Sequence, residues 1–274
     1  MKLIEGMDGL PAGDVGEWAL EKHDYLLRYL NLASPVRKKF IGPGGGGATY
    51  IDLFCATGLS QIRGTGEWID GSAITAWKSS KERGTPFSMM YIADQDEVSL
   101  RACAERLSIL GAPVKTFHGQ ATDTVHQINN DIGNYSLNFA FIDPYNLESL
   151  DFRIIENLSR HKRIDMLIHF SRMDLNRNLW TYIEPENTTL DSVIPGWRNK
   201  VNLTNSQSNI QTGLIRAWRN SINDLGTTLS VTHRLIRGSN RQPLYHLFMA
   251  ARSDLALRFW DIATNSMDRQ RQLF

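Results

Sequence analysis

Three acidic residues set in or just after apolar runs carry the chemistry most readily seen in this chain. They are Asp52 within Tyr50-Ile-Asp-Leu-Phe-Cys-Ala-Thr-Gly58, Asp94 after Phe87–Ala93, and Asp143 after Leu137–Ile142. Apolar runs of this length, closed by small or turn-forming residues, read as buried strands. In open parallel α/β sheets the loop at the carboxyl end of such a strand receives a nucleotide-like ligand. A carboxylate has two directed oxygens and can accept both hydroxyls of a ribose diol, a role open to Asp94, about 40 residues after Asp52. Asp94 or Asp96 would serve equally as a helix N-cap. Gly119-Gln-Ala-Thr-Asp123 follows a third run. A polar residue there can read an adenine ring, with Gln120 and Ala121 alongside, and Asp123 can do so or cap the next helix. The dinucleotide fingerprint is absent, because only Gly58 of its glycines is in place.

The elements that would position these acids alternate along the chain. Residues 1–14, with Gly6, Gly9, Pro11 and Gly13, read as a loose lead-in. Helical spacing of Trp18, Ala19, Tyr25, Leu26, Tyr29 and Leu30 predicts a helix over Gly16–Ala33, placed across the sheet edge or as a lid on the cleft. Ser34–Ala48, with Pro35, Arg37-Lys38-Lys39 and a glycine run, reads as a flexible connector; no Gly-Lys-Ser/Thr follows to make it a phosphate loop. Gln61–Asp70 is polar and Gly-rich. Strands are expected at 50–54, 87–93, 114–117, 137–142 and 164–170, with helices opening near Gly71-Ser72, Asp96, Ala121 and Leu150. This alternation predicts a mostly parallel, doubly wound sheet. The stretch 171–206 breaks the rhythm and reads as a cap or substrate-facing insertion. A helix over 207–225, two β runs at 228–237 and 244–252 joined as an antiparallel hairpin, and a helix from Ser253 complete a seven-stranded, single-domain α/β fold.

Composition narrows the function classes. At 274 residues, 42% apolar and 22% charged, the chain can bury a full core. A net charge of +1 gives no global field toward nucleic acid or membrane, so any such contact needs a local patch. Two cysteines exclude a disulfide framework and a Cys-based zinc site, and fit a reducing compartment. With no leader segment and no apolar run near 18 residues, the expected location is cytoplasmic.

Three resemblances sharpen the reading. The strand-and-turn at 50–58 resembles the first motif of class I S-adenosylmethionine (SAM) methyltransferases, and the five parallel strands with a C-terminal hairpin match their sheet pattern. Asp143-Pro-Tyr-Asn146 resembles the Asp/Asn-Pro-Pro-Tyr/Phe tetrad of enzymes that methylate exocyclic amino groups of nucleobases, with one proline fewer. There Asp143 and the Pro144 carbonyl would accept the two N–H bonds of a poorly nucleophilic aromatic amine, and Tyr145 would stack on a base taken out of its helix. Across most of the chain, Trp18, Glu21-Lys22-His23, Tyr50–Phe54, Gly71-Ser72, Phe141–Tyr145, Asn176-Arg177-Asn178, Trp197-Arg198, Tyr245-His246-Leu247 and Phe259-Trp260 are similar to the three-Cys-motif partner (TcmP) family. The loop Cys55–Gly58 departs from the Ala-Gly-Pro-Gly type of that family, and Asn146 stands where a glycine is usual. The resemblances imply SAM as cofactor, held by Asp52, Phe54, Cys55, Gly58, Asp94, Gln95, Gln120, Ala121 and Asp143. They imply catalysis by Asp143, Pro144 and Tyr145, and a separately encoded partner with a three-cysteine motif.

Other residues admit two readings. Asn146, Arg172, Arg177, Trp197 and Arg198 are candidate substrate contacts. With Arg234, Arg237, Arg241, Trp180 and Tyr182 they make either an aromatic, cationic surface for a base or single strand, or ordinary surface arginines over a Trp-rich core. Arg160-His-Lys-Arg163 is a solvated basic face that can touch phosphate. His169 faces the cleft or the core. Cys55 reads as packing and Cys103 as a buried small hydrophobe. The leading expectation is a SAM-dependent methyltransferase acting on a nucleobase amino group. The alternatives are a non-catalytic methyltransferase-like subunit and a small-molecule methyltransferase.

Overall fold

The computed structural model describes residues 2–271. It begins with two paired strands, β1 (Leu3–Glu5) and β2 (Pro11–Val15), where a loose lead-in is expected. Gly9, at φ 79°, and the Gly6 N–H bond to the Leu10 carbonyl (2.8 Å) close the turn between them. Helix α1 (Trp18–Leu32) follows, and α2 (Ser34–Ile41) occupies most of the expected connector. Pro35 lies in the first turn of α2, where its missing N–H is not needed. Arg37 turns inward and donates to the Thr85 carbonyl (2.7 Å) and hydroxyl (2.9 Å), which explains a helix in a stretch that reads as basic and exposed. Only residues 42–47 form the turn into β3 (Ala48–Asp52).

Next come β4 (Leu59–Ile62) and β5 (Trp68–Asp70), again strands where a polar loop is expected. With β1 and β2 they form a four-stranded sheet in the order β1-β2-β4-β5. Strand β4 runs parallel to β2 from a point more than forty residues later, so no local pattern announces the pairing.

The main sheet is built from β3, β6 (Met89–Asp94), β7 (Val114–His118), β8 (Leu137–Ile142) and β9 (Ile164–Ser171), all parallel. Their crossovers are α3 (Ser72–Glu82), α4 (Glu97–Ile109), α5 (Ala121–Asp131) and α6 (Phe152–Leu158). After β9 the chain forms α7 (Arg172–Tyr182), α8 (Thr189–Val193), a 3-10 turn at Trp197–Asn199 and α9 (Gln207–Asp224). Strands β10 (Thr228–Leu229), β11 (Arg234–Arg237) and β12 (Pro243–Ala251) and helix α10 (Asp254–Arg271) end the fold. The hairpin is present as expected. Its first arm, however, is broken at residues 230–233 into β10 and β11, so the sheet has eight strands in place of seven, in the order β10-β12-β9-β8-β3-β6-β7, with β11 also on β12.

Both faces of this sheet are covered, which is why its strands read as continuous apolar runs. One core joins it to α1, α3, α4 and α10 through Tyr25, Ala73, Leu100 and Trp260. The other joins it to α5–α9 through Val125, Ile154, Leu175, Leu190 and Trp218. The insertion at 171–206 is thus largely helical, and its buried apolar residues, such as Leu175, Leu179, Leu190 and Trp197, belong to the second core, while Met173 packs against the first and Trp180 is exposed. No helix among the described residues is long and apolar enough to cross a membrane.

Candidate active site

The carboxyl ends of β3, β6 and β8, three adjacent parallel strands, bring Asp52, Asp94 and Asp143 to one edge of the sheet. Asp143 immediately follows β8. Asp52 is fully buried. Its Oδ2 accepts from the Ser72 hydroxyl at the start of α3 (2.6 Å) and from the Tyr50 hydroxyl (3.1 Å), while Oδ1 accepts the Phe54 N–H (3.2 Å). Burial pushes its carboxyl up to about 7 against the lowering effect of these bonds. Asp52 therefore ties β3, its following turn and α3 together.

Asp94 sits half-buried at the rim. Its two oxygens accept the backbone N–H groups of Ala56 and Asp96, both at 2.9 Å. Burial raises its carboxyl above the usual range, partly offset by those bonds. Asp96, and not Asp94, caps α4 through Ser99 (3.1 Å). The turn that Asp94 holds contains Ala56 at φ 49° and Gly58 at φ 77°. Gly58 touches Gly71 so closely that a Cβ on Gly71 would lie 2.9 Å from the Gly58 Cα. Gly71→Ala is therefore expected to destabilise the protein by about 1–3 kcal/mol, read by urea denaturation, because backbone meets backbone there and neither can yield. A wild-type midpoint would show that this approach is not tight.

Cys55 is buried beside Cys103, and burial holds its thiol well above its ordinary value, so it packs and does not react. Phe54 is partly buried against the second core. Gln95 is exposed, and its carbonyl meets the His118 ring (3.1 Å). Gln120 is exposed at the N-terminus of α5 without capping it, leaving its amide available, and Ala121 is buried next to it.

Asp143 is the most elaborated of the three. Its Oδ2 forms an ion pair with Lys22 Nζ of α1, and its Oδ1 lies 2.7 Å from His169 Nδ1 on β9. Burial alone would raise its carboxyl. The Lys22 charge and the His169 hydrogen bond outweigh this and hold it well below the carboxylate range. His169 is displaced downward, first by burial, so its ring is neutral near pH 7. An ionised carboxylate only accepts, so Nδ1 must carry the one imidazole hydrogen and Nε2 the lone pair. That Nε2 is buried and has no hydrogen-bond partner. The ring packs against that of Tyr245, tilted by 39° with centroids 3.9 Å apart. His23, next to Lys22, is held neutral by burial and by the Lys22 charge, its value lowered to about 3. An imidazole oriented by a carboxylate, with its second nitrogen unpaired, is an arrangement that can take a proton from a bound hydroxyl or amine.

Of the remaining candidates, Pro144 is buried and Tyr145 is 84% exposed directly beyond it. Asn146 accepts from the Ser149 N–H (2.9 Å) and hydroxyl (2.6 Å), shaping the turn. Arg172 begins α7 and Arg177 is exposed on it. Trp197 is fully buried in the second core, and the Arg198 guanidinium stacks on it (4.6 Å) while gathering the carbonyls of Glu184 (3.2 Å) and Asn187 (3.0 Å). These two hold the 183–200 segment together and do not join the three acids. Lys22 is absent from the sequence-derived candidates, and His169 is left there between cleft and core. Lys22 lies in the Glu21-Lys22-His23 motif, but 121 positions separate it from Asp143, and only the fold makes them neighbours.

Five parallel strands, with the antiparallel β12 inserted between β9 and the β10/β11 edge, define the Rossmann-like class I methyltransferase fold. No family model matches the sequence, and no curated protein matches it. Among solved structures, an O-methyltransferase from Bacillus cereus in complex with S-adenosylhomocysteine is similar at 14% identity and a TM-score of 0.49, over 89% of this chain and 84% of that one. The O-methyltransferase TomG of Streptomyces achromogenes, in complex with SAM, is similar at 12% identity and a TM-score of 0.46, over 82% and 78% of the two chains. A Pyrococcus horikoshii protein provisionally described as an RNA methyltransferase is similar at 10% and 0.45, over 89% and 94%. Likenesses of this size add nothing to the strand order, which carries the fold assignment alone.

Proposed function

We propose that this protein is a SAM-dependent methyltransferase. One observation carries the reading: in this strand order, carboxylates stand at the ends of three adjacent parallel strands, at the edge where α/β sheets bind nucleotide-like ligands. The donor set fits an adenosyl amino acid. Each Asp94 oxygen is engaged by one backbone N–H and retains a second lone pair for a ribose hydroxyl. Gln120 and Ala121 would flank the adenine, and the Cys55–Gly58 turn, with two residues at positive φ, would admit the amino-acid end. SAM supplies an electrophilic methyl group on a sulfonium. Titration calorimetry tests the assignment: saturable binding of SAM and S-adenosylhomocysteine is expected, weakened between ~10- and ~100-fold in Asp94→Ala, the size of losing charge-assisted hydrogen bonds. A folded protein that binds neither would overturn it.

For the acceptor, the Asp143-Pro144-Tyr145 turn favours an exocyclic amino group of a nucleobase. The Tyr145 ring stands free to stack on a base, and the buried Pro144 stiffens the turn beneath it. Asp143 would accept an amine N–H once Lys22 yields its oxygen. A second reading, a hydroxyl on a small molecule, is favoured by the unpaired His169 Nε2, because a hydroxyl is a weak nucleophile until a base takes its proton. In either case the proton leaving the acceptor goes to His169 Nε2 and the methyl group takes its place. Mass spectrometry of products from oligonucleotides and from phenols, with methyl-labelled donor, separates the two. The TcmP-like motifs further lead us to place this chain beside a separately encoded three-Cys-motif protein; co-purification with a tagged partner is the corresponding check.

A further inference from the structure

A second cluster of ionisable side chains lies on the other face of the sheet from His169. On β12, Tyr245 and Leu247 share the His169 face, whereas His246, opposite Phe170 in the register, and Phe248 project toward α7 and α9. The His246 ring lies 4.8 Å from that of His233, in the break between β10 and β11, and both rings border Phe248 (5.6 and 5.0 Å). The Arg219 guanidinium of α9 lies 5.9 Å from the same phenyl ring and donates one hydrogen bond, to the Ser230 carbonyl (3.2 Å). Arg172, at the start of α7, is the fourth member, close enough for its charge to act on both imidazoles. Arg234 of β11 adds its charge at His233, and no carboxylate is among the groups that act on His246. His246 is only 5% exposed, and its Nδ1 is buried without a partner. Arg172 is half-buried and, among the described residues, makes no hydrogen bond or ion pair.

Half-buried cationic side chains with no counter-ion, around a buried imidazole nitrogen with no partner, are costly unless something completes them. From this geometry we infer that Arg172, Arg219, His233 and His246 form an oxyanion subsite that takes a phosphate group, open to solvent on the side of His233 and Val231. A phosphate offers several acceptor oxygens, enough for a planar guanidinium to engage two while imidazole N–H groups take the others. Both imidazoles are neutral without a ligand: His246 is lowered to about 3, first by burial and then by repulsion from His233 and Arg172, and His233 is lowered first by burial and then by its arginine neighbours. An anion would reverse the sign of that electrostatic effect. The site follows from these side chains whether or not the methyltransferase reading holds. If that reading holds, the phosphate belongs to the acceptor, because SAM carries none.

The test is titration of the full chain with inorganic phosphate, without SAM, following the His233 and His246 ring signals by NMR. Saturable shifts of both are expected, with affinity falling about tenfold or more in Arg172→Gln, as for loss of a charge-assisted hydrogen bond. If that variant does not fold, Arg219→Gln is read in the same way. A nucleoside monophosphate binding more tightly than inorganic phosphate would place the group on an organic acceptor, and equal affinities would assign the site to free phosphate. Absence of saturable shifts in the wild type, or equal affinity in the folded variants, would overturn the proposal. A failed SAM titration would leave this outcome untouched.

Discussion

Replacing Lys22 with methionine is expected to destabilise the protein by about 3 kcal/mol near pH 7, because it strips the charge partner from a buried carboxylate. Lys22 and Asp143 have side chains only 15% and 17% exposed, so solvent does little to screen the pair. In the variant, the Asp143 carboxyl has lost its largest lowering influence and rises, and His169, freed from the repulsion of Lys22, gains affinity for a proton. The consequences for pH have definite signs. In the wild type, a carboxyl held below its unfolded value of 3.8 contributes stability above that pH and loses it as the pH falls further. A buried His169 held below its unfolded value of 6.5 costs stability as the pH falls through that value, and in Lys22→Met that cost is smaller because one of the influences lowering it is gone. The deficit against wild type should therefore be larger at pH 8 than at pH 6. Combining Lys22→Met with Asp143→Asn should restore much of the loss, giving a coupling of roughly 2 kcal/mol in a double-mutant cycle by urea denaturation. A single-variant cost below ~1 kcal/mol would place the pair with ordinary exposed ion pairs and remove α1 as an anchor of the site.

The second large effect concerns turnover. His169→Gln should lower kcat by a factor of ~10²–10⁴, the range for loss of a positioned proton acceptor, while SAM affinity stays near the wild-type level because His169 does not touch Asp94, Gln120 or the Cys55–Gly58 turn. Glutamine retains an amide near Asp143 but has no basic nitrogen. The pH profile separates this from a packing defect. Wild-type kcat/KM should rise as His169 loses its proton, with the limb below pH 6.5 because burial lowers this imidazole, and the variant should lack the limb. A variant that keeps the limb at reduced amplitude would show that His169 only supports the shape of the site and that Asp143 receives the proton by another route.

Much of the architecture was legible because of how it is buried. Strands β3, β6, β8, β9 and β12 are covered on both faces, so they appear as unbroken apolar runs, and the helices between them show single apolar stripes. The four strands of the smaller sheet escaped notice for the opposite reason. They are three to five residues long, glycine-rich at their ends, and joined into one sheet by the β2–β4 pairing across more than forty positions. Helix α2 was hidden by Pro35 and by a basic trio whose first member, Arg37, is in fact buried on Thr85. Trp197 and Arg198 had the residue types of a binding surface, but their burial and hydrogen bonds give them to the 183–200 segment.

The sequence by itself determined the sheet, its hairpin and the placement of an acid at the end of each of three strands, because periodicity and strand termination are local properties of the chain. What surrounds those acids was decided only in three dimensions. Asp52 is engaged by Ser72, Tyr50 and Phe54, Asp94 holds the turn at Ala56, and Asp143 is clasped between Lys22 and His169. Which of several lysines or histidines reaches a given carboxylate depends on how α1 and β9 pack against β8. That packing is set by many weak apolar contacts between distant segments, and none of them leaves a mark on the residues that finally meet.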